Sequence, residues 1–308
     1  MSIKCVKLGQ IYDPRFQSNH PKLLTHASNP VPVLLSGDIF RIFYSARDSM
    51  NRSSVGALDF NLVEKKIVNI HKKPIVIHGD QTSFFSAGIS LGNYYEFNNK
   101  KAISFMGWRT MDDGAWRGEI GSFSLTQDLF LDEISTQPMI KIDKEIDTIS
   151  LSYPWILETA PDQLVAWYGS TIGRDKSNNE MIHVINQAYS SDASSWKKIG
   201  LALPYEKQKQ QMFSRPCVFL NKSGVYEMWF SVRPGGGETY RIRHAESDDA
   251  KSWIHAKTPA KLDVSNAGWD SEMIEYPYVF SHKTNKYMLY NGNDFGKTGF
   301  GLAQLVHE

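Results

Sequence analysis

Asn29–Asp48 reads NPVPVLLSGDIFRIFYSARD: a proline, an apolar run, a polar turn at Ser36-Gly37-Asp38, then an aromatic run ending in Arg47 and Asp48. Two β-branched and aromatic runs separated by a glycine-containing turn are the pattern of a β-hairpin. The order returns in YPWILETAPDQLVAWYGS from Tyr153, RPCVFLNKSGVYEMWFSVRP from Arg215 and YPYVFSHKTNKYMLYNGND from Tyr276. Pro30, Pro154, Pro216 and Pro277 are spaced by 124, 62 and 61 residues. Because the first interval is double the others, a further copy is expected inside it. It is FFSAGISLGNYYEFNNKKAISFMGWRT from Phe84, with Gly88 placed near the proline position and a longer hairpin turn.

Outward from these hairpins, three units continue into a third strand: VGALDF at Val55, INQAYSSDASSW at Ile185 and IRHAESDDAKSW at Ile242. Strand, hairpin, strand, loop, strand and an SxDxxxW turn make one four-stranded unit, and no segment sustains an apolar helical period. A lone unit cannot cover both faces of its sheet, so the repeats must stack around an axis. The expected fold is all-β, a five-bladed β-propeller of four-stranded antiparallel blades, closed by an N-terminal strand near Val6 to Tyr12. It forms one domain, 1–308, with blades at approximately 22–80, 81–145, 146–205, 206–265 and 266–308 plus 1–14. Trp196 and Trp253, at the ends of their SxDxxxW turns, are expected to pack between blades.

Composition narrows the partners. Lys+Arg 34 against Asp+Glu 33 leaves a net charge of +1, without the basic excess that phosphate neutralisation on nucleic acid needs. No stretch approaches the roughly 18 apolar residues of a membrane span, and MSIKCVKLGQIYDP has no signal-peptide core. The expectation is a soluble cytoplasmic protein with two free thiols, Cys5 and Cys217. The histidines form no zinc-type spacing, and Gly235-Gly236-Gly237 lacks the residues of a phosphate loop. No metal or cofactor is expected. Calcium in the channel is compatible with related folds, though no run of ligands demands it.

In such a fold, function is expected where innermost strands begin and second strands end. Strand starts supply His26, Asn29, Ser86, Ser152, Tyr153, Ser214, Arg215, Glu272, Glu275 and Tyr276; the following turns supply Arg47, Asp48, Arg109, Arg174, Arg233, Glu238, Asn293 and Asp294. Planar guanidinium groups suit carboxylate or phosphate, so Arg47, Arg109, Arg215 and Arg233 are candidates to hold an anionic sugar, a sugar phosphate or a nucleotide-linked donor. Glycosidic cleavage commonly pairs an acid with a second carboxylate. Glu272 or Glu275 is the acid candidate and Asp48 the second carboxylate. Asp112, Asp113 and Asp175 read as solvated turn formers, and Trp108, Trp116, Tyr153 and Tyr276 as faces for sugar stacking.

These features resemble the five-bladed propeller glycoside hydrolases: arabinanases, β-xylosidases, invertases and levansucrases, with the mannoside phosphorylases as relatives. HASNP, RIFYSARD, SDDAKSW, WDSEMIEYPYVF and YMLYNGNDFGKTGFGLA are similar to a branch associated with bacterial surface-polysaccharide biosynthesis. The resemblance implies that Glu275, two residues before Pro277, is the general acid, with Glu272 the near alternative. Where the arabinanase-like enzymes carry a basic Asp, directly before the first-blade Pro, this chain has Asn29, and an amide cannot take a proton from water. Asp13 in IYDP is an alternative base. The pairing of a first-blade NP with a later Arg and SSVGALD resembles the mannoside phosphorylases, which hold phosphate with basic residues. Two functions stay open: a carbohydrate-active enzyme that cleaves or transfers a glycosyl group, and a non-catalytic glycan-binding or scaffold propeller that lost its base.

Overall fold

A computed structural model describes residues 3–17, 20–112, 114–143, 145–206, 210–257 and 262–307; Asp113 lies outside them. The described chain is almost entirely β, with helical turns only at Pro14–Gln17 and Asn293–Gly296. After β1 (Ile3–Tyr12) come β2 (Thr25–Ser36), β3 (Ile39–Arg47), β4 (Ser53–Asn61) and β5 (Lys66–Ile70), then β6 (Gly88–Phe97), β7 (Lys100–Thr110), β8 (Trp116–Leu125) and β9 (Leu131–Ile134). The third group is β10 (Ser150–Ala160), β11 (Gln163–Arg174), β12 (Met181–Ser190) and β13 (Lys197–Leu201). The fourth is β14 (Met212–Leu220), β15 (Tyr226–Arg233), β16 (Arg241–Ser247) and β17 (Ile254–His255). The last is β18 (Glu275–His282), β19 (Asn285–Asn291) and β20 (Phe300–His307), and β1 pairs antiparallel along β20.

Within each group, consecutive strands pair antiparallel. Single parallel pairs, Ser53 with Gly88 and His183 with Met212, join groups into two eight-stranded sheets beside one four-stranded sheet. The innermost strands pack in a closed ring, β2 on β6, β6 on β10, β10 on β14, β14 on β18 and β18 on β2. Trp253 packs edge-on against Trp167 of β11, ring centroids 5.9 Å apart. Trp196 packs against an apolar cluster that includes Phe97, Ile120 and Leu151. Both SxDxxxW turns close alike: Ser190 and Ser247 donate to Asp192 and Asp249, which accept backbone N–H groups from Ser194 and Ser195 and from Lys251 and Ser252.

The recurrent proline has a structural cause. Each innermost strand is bulged, between Ser28 and Val31, Leu91 and Tyr94, Ser152 and Trp155, Ser214 and Cys217, and Glu275 and Tyr278. Proline has no N–H for the ladder and tolerates a bulge. The residue before it is left-handed in four groups: Asn29 (φ 55°), Tyr153 (39°), Arg215 (47°) and Tyr276 (54°). That conformation is disfavoured for a side-chain-bearing residue before proline, so surrounding packing must hold it. In the degenerate copy the bulge corrects the expected alignment: Gly92-Asn93, not Gly88, occupies the pre-proline and proline positions. Asn93 keeps its N–H, and Ser104 Oγ accepts it at 2.9 Å.

Arg215 corrects a second expectation. It is fully buried, with one terminal nitrogen donating to the Tyr276 carbonyl (2.9 Å) and the other to those of Pro30 (2.8 Å) and Gly92 (3.2 Å). Instead of facing a substrate, the guanidinium ties together four of the five innermost strands. Burial pulls its pKa down to about 10, which leaves it charged at neutral pH.

Candidate active site

Antiparallel pairing puts the starts of innermost strands beside the ends of second strands, as in Thr25 opposite Arg47, Ser150 opposite Thr171 and Met212 opposite Arg233. Two adjoining cavities open on this face and share Arg47, Trp116, Tyr153, Tyr276 and Phe295. The smaller, about 210 Å³, adds Asn29, Asn51, Trp108 and the hydroxyls of Ser28, Ser45, Ser53 and Ser90, and holds no carboxylate among its described lining. The larger, about 580 Å³, adds Arg174, Arg233, Glu180, His183, Phe213 and Tyr240, among others.

Glu275 stands at the start of β18, immediately before Tyr276. Its side chain is fully buried and neither carboxyl oxygen has a hydrogen-bond partner. Burial raises its pKa well above the ordinary 4.5, against the opposing pull first of Arg47, then of the neighbouring Tyr276 hydroxyl, and then of Arg215 and Arg233. Desolvation therefore favours the protonated form of this carboxyl against the pull of the nearby cations. Two tyrosines stand beside it at the cavity boundary, with the Tyr153 and Tyr276 hydroxyls 3.1 Å apart. Glu272, by contrast, is exposed; its carbonyl accepts from Thr239 and its N–H donates to Asn293 Oδ1 at 2.9 Å.

Asp48 lies outside the described lining of both cavities. It accepts from Lys22 (3.3 Å), from the Arg52 guanidinium (2.9 Å) and from the Met50 and Arg52 backbone. Burial alone would raise its pKa, but the bonds from Arg52 and Lys22 outweigh it and hold the carboxylate at about 2. That makes Asp48 a loop anchor and a poor proton acceptor, which corrects the expectation of a second carboxylate at the site. Asp13 is similarly engaged by Arg15, at 2.6 Å.

Asn29 does line the smaller cavity. It is buried, its N–H donates to Asn291 Oδ1 at 2.8 Å, and its own amide nitrogen has no partner. Of the four arginines expected to hold an anion, Arg47 and Arg233 line the site, joined there by Arg174. Arg109 lies outside both cavities, mostly exposed and 3.8 Å from Glu119. His26 is half-buried outside the described lining, its pKa lowered to about 3 by burial, then by Arg47 and Lys297. Asn293 is absorbed by backbone, accepting from Glu272 and Met273.

Glu180, His183, Tyr240 and Phe295 were missed as site residues. Glu180 sits 3.5 Å from Arg233 and accepts from the Gly236 and Gly237 amides. Burial, then Arg233, lowers His183 to about 4, so it is neutral. Phe295 is held by a hydrogen bond from Ser28 Oγ to its carbonyl, and it follows Asp294 in a second consecutive left-handed conformation (φ 54° and 57°). An aromatic inside the polar turn NGNDFG was the available signal. Among the described residues, no group of three or more His, Cys, Asp or Glu side chains could hold a metal ion.

No family model matches the chain. It is 37% identical over 301 residues to two Mycobacterium tuberculosis proteins, the uncharacterized proteins MT1551 and Rv1502, covering 97% of this chain and 98% of each relative. Among solved structures, a glycoside hydrolase superposes with a TM-score of 0.75 at 14% identity, covering 97% of this chain and 91% of that one. A structure from a study of a mannoside phosphorylase family containing hydrolases of β-1,2 mannosidic linkages gives 0.71 at 12% identity, covering 99% and 94%. Sucrose-6-phosphate hydrolase from Lactobacillus gasseri gives 0.68 at 13%, covering 95% of this chain and 61% of that one. At these identities the likeness establishes the fold.

Proposed function

We infer, for a chain that belongs to the family of the Mycobacterium tuberculosis proteins MT1551 and Rv1502, a glycosidase-like enzyme that cleaves or transfers a glycosyl group of an anionic or phosphorylated sugar. The five strand groups are read as five blades of one propeller over 1–308. The sequence resemblance supports a role in polysaccharide metabolism.

The observation that carries the reading is Glu275, a buried carboxyl whose pKa burial raises, immediately before Tyr276, which lines the arginine-bearing cavity. With Asn29 at the position expected of a base and Asp48 tied in ion pairs, water lacks an evident activator. An anionic nucleophile needs none. In the proposed step, phosphate held by the arginines attacks the anomeric carbon as the glycosidic C–O bond breaks. The leaving oxygen takes the electron pair of that bond and the proton of Glu275. The hydrogen phosphate's own proton then restores the acid, giving a glycosyl phosphate and a free hydroxyl. Because Glu275 is closed off in this structure, substrate must displace the neighbouring tyrosine side chains to reach it.

A second reading, a glycan-binding propeller without catalysis, is favoured by the engagement of Asp48. Phosphorus NMR separates the two. A panel of glycosides in phosphate, and of glycosyl phosphates with acceptor sugars, should give interconversion of ester and inorganic phosphate signals. Saturable sugar binding with no phosphorus turnover across the panel would establish the binding module instead.

A further inference from the structure

The two cavities differ in chemistry as well as size. In the smaller, seryl and asparaginyl groups, two indoles and the orphaned Asn29 amide donor form a hydrogen-bonding surface suited to one sugar ring, with Arg47 as the one charged group of its described lining, at the junction with the larger cavity. The larger places Arg47, Arg174 and Arg233 against one carboxylate, Glu180, among its described lining. His183 contributes no charge at neutral pH. Its walls otherwise combine Ser152, Asn179 and Ser214 with flat or apolar groups that include Phe213, Tyr240, Met212 and the exposed ring of Phe295.

The excess of two positive charges matches a diphosphate diester, which carries two negative ones. At about 580 Å³ the cavity falls in the range of roughly 300–1,000 Å³ typical of pockets for molecules larger than phosphate. Aromatic faces accept any nucleobase by stacking. Phe295 is the exposed ring of this wall; it meets the buried Tyr240 edge-on, centroids 6.3 Å apart, and Arg233 lies over the Tyr240 ring, while Phe295 also borders the sugar cavity.

We propose that the larger cavity is a subsite for the diphosphate and base of a nucleoside diphosphate sugar, whose sugar ring lies across Phe295 in the smaller cavity. The proposal rests on reading the paired cavities as a glycosyl site, and adds the class of anion that the site takes.

Isothermal titration calorimetry of the full chain with uridine, guanosine, cytidine and adenosine diphosphates, inorganic pyrophosphate and inorganic phosphate tests it. At least one nucleoside diphosphate should bind ten-fold or more tighter than pyrophosphate. Arg174→Ala, a change at an exposed side chain, should weaken that binding about ten-fold, and Phe295→Ala should erase the advantage over pyrophosphate while thermal unfolding stays cooperative. Equal binding of pyrophosphate and every nucleoside diphosphate, no binding at millimolar concentration, or indifference to Arg174→Ala would overturn the subsite. Nucleotide binding without glycosyl turnover would leave the subsite standing and remove the proposed activity; turnover of glycosyl phosphates without nucleotide preference would do the reverse.

Discussion

At the scale of single residues, the outcome turns on which charged groups are satisfied and which are left waiting. Asp48 and Arg215 looked from sequence like substrate contacts, yet each is consumed by the protein, one by neighbouring cations and N–H groups and the other by three carbonyls. Glu275 and the Asn29 amide remain buried with unpartnered polar atoms, an arrangement that a folded protein bears only at a cost in stability. The pH dependence of that cost is fixed in sign. Below about pH 4.5 Glu275 is protonated in both states; as pH rises, the unfolded chain ionises it first while the raised folded pKa keeps its proton, so stability falls across that window. Glu275→Gln removes this loss. The melting-temperature difference, variant minus parent, should grow between pH 4.5 and neutrality, and a pH-independent difference would count against a buried neutral acid.

At the scale of elements, the hairpin repeat was legible because proline, turn and aromatic run recur at nearly constant spacing. Its degenerate copy was located but misaligned by five residues, since Asn93 stands in for proline and no local sequence signal marks a bulge. The packing there is tight. A Cβ on Gly92 would fall 2.2 Å from the Pro154 carbonyl oxygen and 2.4 Å from Ser104 Oγ, and the backbone atom cannot retreat without shifting the next innermost strand. Gly92→Ala should therefore destabilise by about 1–3 kcal/mol, in line with overpacking in a filled core. Denaturant unfolding reads this directly, and an unchanged midpoint would show that the strand can move. The arginines at second-strand ends were equally visible as a pattern, but not their fates: Arg47, Arg174 and Arg233 line the site, whereas Arg109 stands outside it.

At the scale of the whole molecule, a ring of five innermost strands brings residues distant in sequence to one opening. Tyr153 and Tyr276, 123 positions apart, touch through their hydroxyls, and Ser28 bonds the carbonyl of Phe295. Spacing predicted which ends would gather there; it could not predict that Arg215 would fasten the axis or that a turn aromatic would stand between two cavities. The ring also separates roles: its carbonyls satisfy the axial cation, while the loops above it carry the groups left for a ligand. The central claim is that Glu275 supplies the proton to a leaving group. Its direct test is turnover of Glu275→Gln on paired substrates, identified in the phosphorus NMR panel, that share one sugar but differ in leaving group. The account predicts a loss of about 10²–10⁴-fold on a poor alkyl leaving group, the range for a general acid, and a much smaller loss on a nitrophenyl leaving group that departs unprotonated. Equal losses on both, or full activity of the variant on the alkyl glycoside, would contradict it.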